Sequence, residues 1–141
     1  MTLGEEVAPG ANDVIGSKLL DAYDAGRAIA ECAAWLRARY FSQHDPEWIR
    51  ELEAAPDPTD VARQLTRERG RPEYADPSSE AARALNAKIG VAWIEAEWRL
   101  SPLRCLGYGL VGLQAAAEEG RPEAYRELVE RFERALDPVD V

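Results

Sequence analysis

Histidine occurs once in this chain, at position 44, and cysteine twice, at positions 32 and 105. A single histidine excludes two-histidine zinc sites and the paired ExxH motifs of di-iron bundles. A histidine-dependent Ser or Cys triad would have to use His44, which sits in the turn FSQHDP, and nothing in the sequence places a nucleophile beside it. Cys32 and Cys105 lie far apart in helical contexts with no CxxC, so no disulfide framework is expected. They read as two buried thiols of a cytoplasmic protein. Basic charge is also in deficit: 17 Lys and Arg stand against 26 Asp and Glu, a formal net charge of −9. That balance argues against binding nucleic acid through a basic surface and against docking on an anionic membrane.

Long apolar runs are missing too. The longest uncharged stretch, Cys105 to Ala117, is too short to span a bilayer and holds three glycines. The opening MTLGEEVAPGANDV carries acids where an export leader has Lys or Arg, which again fits a cytoplasmic location. No stretch alternates with period two over strand length, and β-branched residues are few, so no sheet is expected. GYGLVG at Gly107 is neither GxGxxG after a strand nor a P-loop, so no phosphate cradle and no cofactor are expected.

What is present is helical punctuation. Residues 1–11, with Gly4, Pro9 and Gly10 and no periodicity, read as a flexible lead-in to a single domain over 12–141. Ile15, Leu19, Ala22, Gly26, Ile29, Ala33, Leu36 and Tyr40 alternate in steps of four and three, a seam that predicts a long helix capped by Asn12 or Ser17. Gly16 and Gly26 each weaken it by up to ~1 kcal/mol relative to Ala. Asp45-Pro46 and Asp57-Pro58 open two short helices, about 46–55 and 58–69, each with an aspartate cap and proline in the first turn. A loop over 70–76 precedes Asp76-Pro77 and a helix reaching Leu100. Ser101-Pro102 then forces a corner before the helix Leu103–Ala117 and the last one, Pro122–Leu136. The fold class is all-α: a compact helical bundle of four longer helices with two short ones between the first and second.

The stretch Glu80–Leu100 stands out because it is apolar on two sides. At about 100° per residue, Ala82, Leu85, Ile89, Trp93, Ala96 and Leu100 share one face, and Val91, Ile94 and Trp98 lie roughly opposite. A helix with two apolar faces must be covered twice. Either neighbouring helices cover both, or Val91, Ile94 and Trp98 form a contact face for a protein partner or a second copy, since tryptophan is enriched at interface hot spots. Arg67 and Arg71, part of a basic cluster with Arg63 and Arg69, would supply secondary polar contacts. Gly107, Gly109 and Gly112 notch the following helix and would admit a close-packed neighbour. A pocket for a small apolar ligand is conceivable between Trp93, Tyr108, Gly109 and Gly112.

Carboxylates offer the remaining route to an enzyme. All-α nucleotide hydrolases hold magnesium with clustered acids on facing helices, and Glu31, Glu95 and Glu97 are the candidates here. Glu31 should face solvent, about 200° from Ile29, and Glu95 and Glu97 flank their helix on opposite sides. No metal site is therefore expected. The hairpin GLVGLQAAAEEGRPEAYRELVERFERALDP is faintly similar to a tetratricopeptide unit, but its intervals differ and a solenoid requires about three copies. The expected function is a small acidic cytoplasmic helical protein that acts by protein–protein binding, in a regulatory or adaptor role, and self-associates as a homodimer. The alternatives are an accessory subunit of a larger enzyme, a bundle binding a small ligand, and the magnesium-dependent hydrolase.

Overall fold

Three helices begin on one device, a short oxygen-bearing side chain followed by proline. Asp45 Oδ1 accepts from the Glu47 amide at 3.3 Å, Asp57 Oδ1 from Thr59 at 3.0 Å, and Ser101 Oγ from Arg104 at 3.1 Å. Each cap satisfies an amide that the helix itself leaves open, and proline follows where no donor is needed. The computed structural model describes residues 9–136, with side-chain surroundings from Asp24 onward. It contains α1 (Pro9–Phe41), α2 (Pro46–Ala54), α3 (Pro58–Glu68), a 3₁₀ turn over Pro72–Tyr74, α4 (Glu80–Leu100), α5 (Pro102–Glu118) and α6 (Glu123–Leu136). There is no strand among the described residues.

Most boundaries fall within two residues of expectation, and two details differ. α1 starts at Pro9, so Asn12 and Ser17 lie inside the helix and not at its start. Residues 1–8 of the expected lead-in lie outside the described residues. α4 is capped by Ser79, whose Oγ accepts from the Ala82 amide at 3.1 Å. Asp76 instead closes the preceding turn, accepting from both the amide and the hydroxyl of Ser78. Those bonds hold its carboxyl below the ordinary aspartate range.

α4 occupies the centre. On one side it packs against α2 and α3, where Val91 and Ala92 join Ile49, Leu52 and Ala62 in a core edged by Trp48, Val61, Leu65 and Trp93. On the other it meets α1 and α5, where Ile94 packs with Ala33 and Cys105. A third core joins Cys32 and Leu36 of α1 to Leu113 of α5 and Leu128 of α6. Tyr40 borders all three cores. Arg27 reaches the Ala135 carbonyl while Arg39 pairs with Glu127, so α1 and α6 run antiparallel. Leu36 lies against Gly109 and Tyr40 against Gly112, which sets α5 parallel to α1.

Only some of the glycines are notches. A Cβ at Gly109 would collide with Leu36 Cδ2 and sit 3.3 Å from Ile94 Cδ1, so α1 and α4 both press on that backbone. At Gly26, on the apolar seam of α1, no heavy atom of the described residues would lie within 4 Å of a Cβ. Gly109→Ala is therefore expected to destabilise by about 1–3 kcal/mol through overpacking. Gly26→Ala should stabilise by about 0.5–1 kcal/mol by removing backbone freedom from the unfolded chain. Urea unfolding of the two variants checks the opposite signs.

Candidate functional site

The expected contact face on α4 is not a surface. Val91 is fully buried under α2 and α3, and Ile94 is 1% exposed between α1 and α5. The two residues enter different cores, because a helix sandwiched between layers buries flanks as well as faces. Trp98 is half-buried, with the Arg37 guanidinium 5.3 Å from its ring centroid. Arg67 and Arg71 are exposed and line a separate cleft with Trp48. The expected ligand pocket is divided as well. Trp93 turns to the α2–α3 side, and Leu36 fills the space at Gly109.

None of the three candidate acids is free to bind metal. Glu95 is 3% exposed, and it accepts from Arg37 Nε at 2.8 Å and from Arg99 Nε at 3.2 Å. A buried carboxylate is tolerated only when its charge is met in this way. Arg37 also donates to Glu53 at 3.2 Å and lies 4.3 Å from the Phe41 ring centroid. Arg99 goes on to cap α2: its two terminal nitrogens donate to the carbonyls of Leu52, Glu53, Ala55 and Pro56 at 2.6–3.3 Å. Glu97 accepts from Arg104 at 2.8 Å across the Ser101-Pro102 corner, and Glu31 from Arg27 at 3.0 Å. No cluster of three or more metal-ligating side chains occurs among the described residues.

The remaining reactive groups are inert. Burial pushes the Cys105 thiol up to about 11 and raises that of Cys32. His44 is half-buried beside Trp48, with ring centroids 5.5 Å apart, rather than fully solvated. Burial, and then the charge of Lys88, lower its pKa and hold it neutral near pH 7.

An uncharged face on α5 is what stays open. Between Arg104 and Glu118 this helix carries no charged residue, although 30% of the whole chain is charged. Leu103 is 61% exposed, Val111 66% and Tyr108 42%, and Leu100 at the end of α4 is 66% exposed. Leu103, Gly107 and Val111 repeat every four residues and form one ridge; Tyr108 and Gly112 form the next. Beside them a groove of about 360 Å³ runs between α4 and α5, lined by Tyr40, Gly90, Ile94, Tyr108, Val111 and Gly112. Burial raises the pKa of both Tyr40 and Tyr108, so the phenols add no charge near neutrality. Leu100, which shares an apolar face of its helix in the sequence pattern, is exposed. The signal for an open face was in the sequence: the uncharged run Cys105–Ala117 is longer than one buried stripe requires.

Two outcomes follow from this packing. Glu95→Ala leaves two guanidiniums without their shared acid and should lower stability by roughly 3 kcal/mol, toward the lower end for a broken buried pair because both arginines keep some water contact. Chemical denaturation reads that loss. A thiol reagent such as dithionitrobenzoate should label neither cysteine in the native protein at pH 8 and both in denaturant. Prompt labelling of either in the native protein would contradict the burial described.

Set against models of known families, characterised proteins and solved structures, the chain matches none.

Proposed function

We propose that the chain acts by protein–protein binding and that it self-associates through the outer face of α5, in a regulatory or adaptor role. The observation that carries this reading is the exposed set Leu103, Tyr108 and Val111 on α5, which has no charge between Arg104 and Glu118, together with exposed Leu100 at the end of α4. Apolar side chains gathered at such exposure mark contact surfaces. The face also holds its own complement. Leu103, Tyr108 and Val111 project, while Gly90 and Gly107 are open hollows with no described heavy atom within 4 Å of a Cβ. A two-fold contact places one patch against itself and so requires projections and hollows together. Charge supports the same choice. Two chains of net charge −9 repel, and they meet most easily where neither presents an acid.

Two buried cysteines with no bond between them support a reducing, cytoplasmic setting. No helix among the described residues is long and apolar enough to cross a membrane. The arginine-paired acids support binding over hydrolysis, because each carboxylate weighed as a magnesium ligand is held by a guanidinium.

Light scattering coupled to size exclusion tests the proposal over a wide concentration range. The wild type should approach twice the 15.6 kDa chain mass as concentration rises. Val111→Glu, and Leu103→Glu as a second variant, should stay monomeric with unchanged helical circular dichroism. Both positions are solvent-exposed, so neither change should unfold the monomer. A wild type that remains monomeric throughout would sink self-association.

A further inference from the structure

The cleft between α2 and α3 differs in chemistry from the rest of the surface. Residues 58–71 carry Arg63, Arg67, Arg69 and Arg71 against Asp60 and Glu68, in a chain whose net charge is −9. These arginines are loosely engaged. Arg63 lies 3.6 Å from Asp60, and Arg71 lies 3.9 Å from Glu68 and 4.0 Å from Glu73, beyond hydrogen-bond length. Arg69 is the exception, donating to Asn86 at 3.0 Å. Arg67 makes no ion pair with any described residue. The contrast with Arg37, Arg99 and Arg104, each held to a carboxylate at 2.8–3.2 Å, is plain. Arginines in the last turn of α3 complement its negative end, but exposed charges gain only a few tenths of a kcal/mol that way. That role makes no use of an apolar wall.

A wall is present. The cleft measures about 460 Å³, and Arg67 and Arg71 line it together with Trp48, Val61, Leu65 and Gln64. Its volume lies in the range of about 300–1,000 Å³ usual for small-molecule sites. Glu68 also lines it, the one acid against two arginines. Lys88 adds charge nearby, with Nζ 5.2 Å from the Trp48 ring centroid. The cleft thus joins an aromatic and aliphatic wall to a pair of planar donors that match carboxylate or phosphate oxygens.

We propose that this cleft is a binding site for a small anion carrying a flat ring. The ring lies against Trp48, Val61 and Leu65, Arg67 and Arg71 take the acid group, and Gln64 offers a neutral hydrogen-bonding partner. Ring and acid are needed together. Two solvated arginines alone hold a simple anion weakly, and the apolar wall alone has no means of orienting a ligand. The site lies on the opposite flank of α4 from the α5 face, so the mass measurements that test self-association do not bear on it.

Two sources share this chemistry, an aromatic carboxylate and a nucleoside monophosphate. Benzoate and AMP are the probes, with acetate and inorganic phosphate as ring-free counterparts, each titrated to millimolar concentration into ¹⁵N-labelled full-length protein. The readout is the indole N–H signal of Trp48, assigned by its loss in Trp48→Phe. At least one ring-bearing probe should shift that signal saturably, with its ring-free counterpart at least tenfold weaker. Arg67→Gln combined with Arg71→Gln should weaken the effective probe by at least tenfold without changing the melting temperature of the free protein, because both side chains are exposed. Benzoate acting alone identifies a carboxylate ligand, and AMP acting alone a phosphate ester; either supports the site. Equal binding of the ring-free anions would overturn it. So would a silent Trp48 signal with every probe, or binding that survives the double substitution.

Discussion

A carboxylate buried at the centre of a small bundle constrains everything packed around it. Glu95 sits on the central helix with almost no water contact, and its charge is met by Arg37 from α1 and Arg99 one turn along α4. Removing ions from water is expensive, so such a group persists only where geometry supplies several donors. Here the donors serve more than the acid. Arg99 spends its remaining nitrogens on the carbonyls at the end of α2, and Arg37 reaches Glu53 near the end of the same helix. One acid therefore ties the long helix, the short helix and the central helix together. The abrupt stop at Pro56 is tolerable because Arg99 meets the carbonyls that α2 leaves open.

That tie explains why α4 is apolar on both sides. Its two flanks are covered by α2–α3 and by α1–α5, and Val91 and Ile94 go to different cores. The sequence made the double burial legible, since a helix apolar all round must be enclosed. It left open what encloses it. Apolarity at Val91 and at Leu103 looks the same in a sequence, yet Val91 has no exposure and Leu103 is 61% exposed. The difference lies in long-range packing. α5 turns Leu106 and Leu113 toward α1 and α6, and no described element lies over its opposite ridge.

Local chemistry was readable and non-local chemistry was not. The Asp-Pro starts of α2 and α3, the Ser-Pro corner and the end of α4 at Leu100 follow from residues within a turn of each boundary, whereas the start of α4 falls at Ser79 and not at Asp76-Pro77. Glu95 could not be recognised as buried, because an acid between Ile94 and Ala96 reads as a solvated flank until Arg37, 58 positions away, is brought beside it. The glycines show the same limit. Gly26 and Gly109 both interrupt apolar helical seams, but only Gly109 has a neighbour pressed against it. A glycine in a sequence records a permitted approach, and the approach itself is made by another helix.

Charge is what separates the surface features from one another. The acids nearest the core are neutralised by arginines, so the excess negative charge sits in outer solvent, where it sets how the molecule meets others. At physiological salt such charges act over about 8 Å, so repulsion between two copies is felt mainly where acids come close. The α5 ridge presents none between Arg104 and Glu118. It is the stretch on which a like-charged copy can approach without desolvating an acid. The α2–α3 cleft, with Arg67 and Arg71 beside Trp48, is suited to the opposite kind of visitor. A copy of this chain brings its own excess of acids, but spread over a broad outer surface; a small anion can place its charge inside the cleft. On these two proposals, size and charge together direct the two classes of ligand to different sides of α4.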